Sequence, residues 1–261
     1  MTDYFLSFLL GIIQGLTEFL PISSSAHLLF PTLIFGTNDL GLSFDIAVHA
    51  GTLIAVISYF RLEIIYMLKS ISSNDVTLSD YRKLTYMLII ATIPIVAVGL
   101  GFSDFIEARI FNISSIAIAN LIFAIVLLIV FLNRKENVAI FEITFKAALV
   151  IGIFQCLALI PGASRSGMAI TGAILIGLNL KDASKFAFLL SIPTIAGALV
   201  FLLVDLNQIN FDYVNMLIGF FVSLFVAFFT IKFFLAFVDR IGMIPFVIYR
   251  MILGLVLLLV I

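Results

Sequence analysis

The sequence contains no tryptophan, a single cysteine and very few charged residues. Lys, Arg, Asp and Glu together make up 11% of the 261 residues, whereas about a quarter is usual in soluble domains. Apolar residues account for 63% of the chain, and Phe alone occurs 28 times. This composition excludes an ordinary soluble domain and is typical of an integral membrane protein.

The low numbers of cysteine and basic residues exclude further structural and functional features. Because Cys156 stands alone, no intramolecular disulfide can form. The formal net charge of -1 does not provide the basic surface that a nucleic-acid partner requires, so we expect none. The first basic residue is Arg61, so the start of the chain lacks the basic region of a cleavable signal peptide. We expect residues 4–20 to belong to the mature structure, within a single membrane domain, 1–261.

Long apolar segments predict several membrane spans. A bilayer core of about 30 Å requires roughly 20 apolar residues in a helix. Six segments have that length: about 44–68, 84–103, 113–133, 184–204, 213–238 and 244–261. Two more apolar regions, 4–36 and 143–180, are interrupted by Pro and Ser at 21–25 and 161–166. The pieces on either side are too short to cross, so each region predicts a re-entrant helical hairpin around non-helical backbone.

The two interrupted regions resemble each other. When residues 11–25 are aligned with 152–166, six of fifteen positions are identical, namely those of Gly11, Ile12, Gln14, Leu16, Ser23 and Ser25. Each copy is followed by three predicted spans, and an odd number turns the second half upside down. We therefore predict an all-α polytopic membrane protein with an inverted repeat. Repeat 1 covers about 1–136 and repeat 2 about 137–261, each with a re-entrant hairpin and three transmembrane helices.

The distribution of basic residues predicts the orientation. If the N-terminus is placed on one side, that side receives only Arg109. The other side receives Arg61, Lys69, Arg82, Lys83, Arg134, Lys135, Lys146, Lys181, Lys185, Lys232 and Arg240. Because basic loops stay in the cytoplasm, we expect a multi-pass protein of the inner (plasma) membrane with both termini outside.

A few strongly polar residues remain at membrane depth: Gln14, Glu18, His27, Asp45, His49, Gln155, Arg165 and Arg250. An ionisable residue there costs roughly 2.5 kcal/mol or more and indicates a function by default. Gln14 and Glu18, four residues apart, share one helix face before the first break.

Not every polar residue at this depth requires a catalytic role. We interpret Asp45 and His49, also four residues apart, as structural partners. Gln155, the repeat counterpart of Gln14, is interpreted as a helix-packing group. We expect Arg250 either to snorkel toward the interface or to pair with an acid.

The serine clusters predict an anion site. Each lies at the start of a half-helix, where Ser is a favoured cap and free backbone N–H groups attract anions. Arg165 adds a planar fork suited to phosphate. The hydroxyl donors are those of Ser23, Ser24, Ser25, Ser164 and Ser166. A phosphate pocket inside a membrane protein implies a substrate whose tail lies in lipid.

At these residues the chain resembles a known family. Residues 14–27, QGLTEFLPISSSAH, resemble the [E/Q]-x-x-x-E motif of the undecaprenyl-pyrophosphate phosphatase (bacitracin-resistance) family, with its downstream Ser and His. Residues 161–166, PGASRS, resemble its P-G-x-S-R-S-x-x-T motif, and residues 44–49 fit as well. The resemblance covers the whole chain. In one departure, Ala169 replaces the family Thr, and Thr171 lies two residues further on.

The resemblance implies an activity and a set of roles. The activity is removal of the terminal phosphate from undecaprenyl (polyprenyl) pyrophosphate, which returns the monophosphate carrier to cell-wall synthesis. The residues implied as catalytic are Glu18, Ser24, His27 and Arg165. Those implied to bind substrate are Gln14, Ser23, Ser25, Ser164, Ser166 and, weakly, Thr171.

Several details stay open at this stage. Glu18 is either a general base or, with Gln14, a ligand of a divalent cation such as Mg²⁺ or Ca²⁺. Ser24 or His27 is the nucleophile, or else His27 is the acid that protonates the leaving oxygen. A homodimer is a further expectation.

A different class of function uses the same features. A polyprenyl-phosphate flippase also requires a midplane anion pocket, and inverted repeats are common in transporters. A protein that only sequesters the lipid is a third reading. The carboxylate of Glu18 favours hydrolysis, because a carboxylate repels phosphate unless a proton or metal intervenes.

Overall fold

The computed structural model describes residues 3–28, 40–72, 75–101, 112–204 and 212–260. These residues are almost entirely helical. Within the described ranges the only β pairing is an isolated parallel bridge between Val138 and Leu178. The all-α prediction is confirmed.

The first half contains helices α1 to α6. Their bounds are Asp3–Thr17, Ser24–Leu28, Leu42–Tyr59, Arg61–Ser72, Ser79–Gly101 and Ile113–Leu132. The second half contains α7 to α11, with bounds Phe145–Cys156, Arg165–Leu175, Leu180–Val204, Tyr213–Ile241 and Ile244–Val260. Polar side chains mark several starts: Asn112 caps α6, Thr144 caps α7 and Asp212 caps α10, each accepting a bond from a backbone N–H of the first turn.

Five of these helices, α3, α5, α6, α9 and α10, are long and apolar enough to cross a membrane. Many of their large apolar side chains are exposed on the protein surface, as in Ile93, Ile122 and Phe225. Lipid rather than water suits such a surface. The chain is therefore a multi-pass membrane protein.

The predicted single span 44–68 is wrong. Helix α3 ends at Tyr59, Phe60 leaves helical geometry at φ -92° and ψ 20°, and α4 begins at Arg61. Arg61 and Glu63 bring charge into the apolar run here, although Leu62 and Ile65 continue it. Glu63 pairs with Lys185 near the start of α9, at 3.0 Å between Oε1 and Nζ. α4 is therefore a separate helix.

Both predicted interruptions occur. After α1 the chain forms a turn, and Ser23 has φ 71° before α2 begins. After α7 a 3₁₀ turn, Leu157–Leu159, leads to Gly162 at φ 97° and Ser164 at φ 71° before α8 begins. Residues 29–36 of the first interrupted region lie outside the described residues, so the described part of that region ends with α2.

Helix packing brings the two breaks to the interior. α10 packs against α1 and α3, α7 packs against α5, and α6 packs against α11. Gly51 and Gly152 allow close approach, because an added Cβ would meet the backbone oxygens of Phe220 and Ala91 respectively. The buried rings of Phe19, beside the first break, and Phe188 of α9 pack edge to face with centroids 5.3 Å apart.

Candidate functional site

The two breaks contact each other directly. Ser166 Oγ, in the first turn of α8, donates a hydrogen bond to the carbonyl oxygen of Leu20 at 2.8 Å. Arg165 Nη2 donates to Glu18 Oε1 at 2.6 Å, although the two residues lie 147 positions apart in the chain. The fold thus brings both predicted motifs into one site.

A cavity of about 390 Å³ opens beside this contact. Its polar lining consists of Thr17, Glu18, Ser23, Ser24, Asp45, His49, Ser164, Arg165 and Thr194. Its other side is apolar and comes largely from α9, through Ile195, Ala198, Leu199 and Leu202. One cavity therefore offers both a charged region and an apolar region, which suits a ligand with an anionic head and a hydrocarbon tail.

Glu18 is the centre of the polar region. Its Oε1 accepts from Arg165, and its Oε2 accepts from Gln14 Nε2 and Ser24 Oγ, each at 2.9 Å. The Glu18 side chain is only 6% exposed, so these bonds compensate for a buried carboxylate. A hydroxyl that donates to a carboxylate is the geometry of an activated nucleophile.

The N-terminus of α8 supplies the anion-binding elements. Ser164 Oγ accepts from Gly167 N at 3.2 Å and thereby caps the helix. Arg165 begins the helix, and its Nη1 is buried without a hydrogen-bond partner among the described residues. A helix N-terminus with an unsatisfied guanidinium donor beside it favours an anion with several oxygens.

Arg250 differs from the prediction, since it neither snorkels nor pairs with an acid. Its side chain is fully buried. Nη2 donates to the carbonyl oxygens of Gly162 (2.9 Å) and Ala163 (3.1 Å), and Nε donates to Asn120 Oδ1 at 2.9 Å. The break before α8 leaves these carbonyls outside any helical ladder, and the guanidinium satisfies them. Arg250 thus holds the turn that presents Ser164.

Some predicted residues lie away from the cavity. His27 is engaged at both ring nitrogens, by Ser23 O at 2.7 Å and Tyr249 Oη at 2.6 Å, and its ring stacks on Tyr249. Thr171 donates to Gly167 O within its own helix. Ser166 joins the two breaks instead of lining the cavity. Ser25 belongs to α2, but its side chain lies outside the described part of the chain.

Four polar residues of the cavity lining were not predicted for the site: Thr17, Asp45, His49 and Thr194. His49 was interpreted as a partner of Asp45, and the structure shows its Nδ1 bonded to the backbone oxygen of Asp45 at 2.7 Å. Its Nε2 lies 3.9 Å from Glu18 Oε2. Thr194 of α9 donates to Gln155 Oε1 at 3.3 Å. The only signal in the sequence was that Asp45 and His49 are polar at membrane depth.

The residues around Glu18 also bear on the expected divalent cation. In the described part of the chain, no three His, Cys, Asp or Glu side chains are arranged to hold a metal ion. Gln14 Oε1, however, is a buried oxygen with no hydrogen-bond partner among the described residues, and it belongs to the amide whose Nε2 donates to Glu18 Oε2. Mg²⁺ commonly takes one or two protein oxygens and completes its shell with phosphates and water. The donor set fits a cation of that kind.

Comparison with known proteins identifies the family of the chain. Residues 7–256 match the family model described as bacitracin resistance protein BacA. A protein named undecaprenyl-diphosphatase from Alcanivorax borkumensis is 44% identical over 260 residues, covering 98% of both chains. Proteins of the same name from Saccharophagus degradans (44% identity, 94% of this chain and 93% of the relative) and Aliivibrio salmonicida (43%, 96% of both) are also similar. The chain therefore belongs to the bacitracin resistance protein BacA family.

Proposed function

We infer that this protein is a membrane phosphatase that hydrolyses undecaprenyl pyrophosphate to the monophosphate and inorganic phosphate, and so recycles the lipid carrier for cell-wall synthesis. Membership of the family and the names of the three relatives support this function. The observation that carries it is the contact of Glu18 with both Ser24 and Arg165 in a cavity with an apolar side.

Substrate binding rearranges the charges around Arg165. Among the described residues, the guanidinium forms an ion pair only with Glu18. A pyrophosphate carries more negative charge than a carboxylate and offers more acceptor oxygens, so it competes for Nη1 and Nη2. The N-terminus of α8 adds backbone donors. Charge that develops on the phosphoryl oxygens is stabilised by these fixed groups, which is the main task in phosphoryl transfer.

Ser24 is the nucleophile that the geometry favours. Its Oγ already donates to Glu18 Oε2, so the carboxylate can draw the proton away as the oxygen attacks the terminal phosphorus. His27 lies outside the cavity lining, with both nitrogens engaged, and therefore does not fit the role of nucleophile.

A divalent cation, Mg²⁺ or Ca²⁺, is proposed to bind together with the substrate. Glu18 and Gln14 Oε1 would hold it, and phosphate oxygens would complete its shell. Such a cation supplies positive charge next to the phosphoryl group.

The inverted repeat and the orientation also belong to this proposal. The aligned residues Ser23 and Ser164 share the same φ of 71°. The packing is reciprocal as well: α1 of the first half contacts α10 of the second, while α7 of the second contacts α5 of the first. The aligned Gly11 and Gly152 lie at those two contacts. We propose two re-entrant hairpins of opposite direction in the plasma membrane, with both termini outside.

A flippase is not favoured. Transport requires only the anion pocket, whereas here a carboxylate and a hydroxyl are hydrogen-bonded inside that pocket. The expected homodimer stays a prediction.

The test is phosphate release from a polyprenyl pyrophosphate by the purified protein in detergent, with and without chelator. We expect turnover that chelation abolishes and added Mg²⁺ or Ca²⁺ restores. Absence of turnover with either cation, in a protein that still binds the lipid, would contradict hydrolysis and favour transport. Turnover that persists in chelator would contradict only the proposed requirement for a divalent cation, not hydrolysis.

A further inference from the structure

His49 is the second of the two histidines in the chain. It lies beside Glu18, where we had expected a role for His27. It projects from α3 into the cavity, where its Nε2 approaches Glu18 Oε2 to 3.9 Å. His27, in contrast, stacks on Tyr249 with ring planes only 4° apart. The imidazole that can reach a phosphate is therefore the one on α3.

The hydrogen bond at Nδ1 fixes the tautomer of His49. A backbone carbonyl oxygen can only accept, so Nδ1, 2.7 Å from Asp45 O, must carry a hydrogen. In neutral His49 the lone pair is then on Nε2, the atom on the Glu18 side. Because a residue of the same helix supplies the acceptor, the ring needs no other element to hold this tautomer.

Glu18 is poorly placed to keep a proton. Its two oxygens accept bonds from Arg165, Gln14 and Ser24, and these three donors stabilise the ionised carboxylate. Its side chain is 6% exposed, whereas that of His49 is 32% exposed. His49 is therefore the better placed of the two to pass a proton to water.

We propose that His49 is a catalytic residue, whose Nε2 accepts the proton released by the nucleophile and passes it to water. The proposal rests on the proposed phosphatase function. As Ser24 Oγ bonds to the terminal phosphorus, the bridging P–O bond breaks and its electron pair stays on the lipid monophosphate. The Ser24 proton moves through Glu18 Oε2 to His49. Water then attacks the phosphoserine, the Oγ–P bond breaks, and Oγ regains a proton from that water through His49 and Glu18.

The same role applies if water attacks the lipid directly, since the proton of that water goes to Nε2. The gap of 3.9 Å to Glu18 is not an objection, because catalytic hydrogen bonds often tighten only with substrate bound.

The charged groups around His49 are Glu18 from the turn after α1, Arg165 from α8 and Asp45 from its own helix. Thr194 and apolar side chains face the cavity from α9.

The experiment compares His49→Gln and His49→Ala with wild type in steady-state phosphate release. We expect kcat to fall by about 10²-fold or more with little change in KM, the typical contribution of a general base. Added imidazole should partly restore His49→Ala, but not Ser24→Ala.

Near-normal kcat in His49→Gln would overturn the proposal. Loss of activity without rescue by imidazole, with KM raised instead, would also overturn it, because it would indicate a binding role. Lipid binding and monodisperse elution of the variants show that they are folded. If the wild-type protein itself releases no phosphate, the function fails, and the His49 role fails with it.

Discussion

At the scale of single residues, Arg165 offers the sharpest substitution. Arg165→Lys keeps the charge but loses the planar fork that reaches Glu18 through Nη2 while Nη1 stays available. We expect a loss of about 10²-fold or more in kcat, typical of a missing transition-state donor. Arg134→Lys, an exposed arginine paired with Glu136, is the matched control and should be unaffected. Equal rates for Arg165→Lys and wild type would argue against bidentate phosphate binding.

Ser24 and Glu18 form the second test at this scale. If Ser24 is the nucleophile, rapid quench with labelled lipid should trap a phosphoseryl enzyme, and Ser24→Ala should be nearly inactive while it still binds lipid. Ser70→Ala removes a buried hydroxyl that bonds only within α4, and it should retain activity. Absence of label on Ser24, together with an inactive Glu18→Gln, would instead indicate direct attack by water.

The sequence located part of this site, for a physical reason. Glu18, Ser24 and Arg165 belong to two helix breaks, and a break inside an apolar stretch is visible in the sequence. His49 and Arg250 lie in ordinary apolar helices, where a polar residue gives no indication of its partner. Helix packing alone places Arg250 against the turn at Gly162 and His49 against Glu18, and packing cannot be read from one sequence.

At the scale of elements, the turn before α8 depends on Arg250. Arg250→Gln shortens the side chain and removes the bonds to Gly162 O and Ala163 O. Each buried acceptor left unsatisfied costs about 1–3 kcal/mol. We expect a lower unfolding temperature in detergent and, because Arg165 loses its position, a kcat reduced by about tenfold or more.

Arg240→Gln is the matched control, because Arg240 is exposed at the end of α10. It should leave both the unfolding temperature and kcat unchanged. If Arg250→Gln behaves in the same way, the turn does not need the guanidinium.

Some helix boundaries are set by the local sequence, and others are set by tertiary contacts. The starts of α6 and α10 follow cap residues that the sequence displays, and their predicted bounds agree with the structure to within a few residues. The end of α3 at Tyr59 did not follow from hydrophobicity, because Leu62 and Ile65 continue the apolar pattern beyond Phe60. There the charges of Arg61 and Glu63, and the pairing of Glu63 with Lys185, outweigh the apolar run.

At the scale of the whole molecule, the charge distribution predicts which side faces the cytoplasm. On the proposed cytoplasmic side, the exposed basic residues include Lys69, Lys83, Arg134 and Lys135. Eleven basic residues assigned to one side and one to the other make a strong bias. In this orientation Leu42 and Leu202, which line the cavity, lie near the outer ends of α3 and α9, so the cavity is nearer to the outer face.

Single-cysteine labelling tests this orientation directly. Cys156 is replaced by Ser to give a cysteine-free background, and Glu136→Cys or Tyr213→Cys is then introduced, both at exposed positions. An impermeant maleimide added to intact spheroplasts should label position 213, near the outer end of α10, and should label position 136 only after permeabilisation. Phosphate release by each variant shows that the protein is correctly inserted. Labelling of position 136 in intact cells, with 213 protected, would reverse the orientation but leave the inverted repeat intact, since exchanging the two sides preserves the relation between the halves.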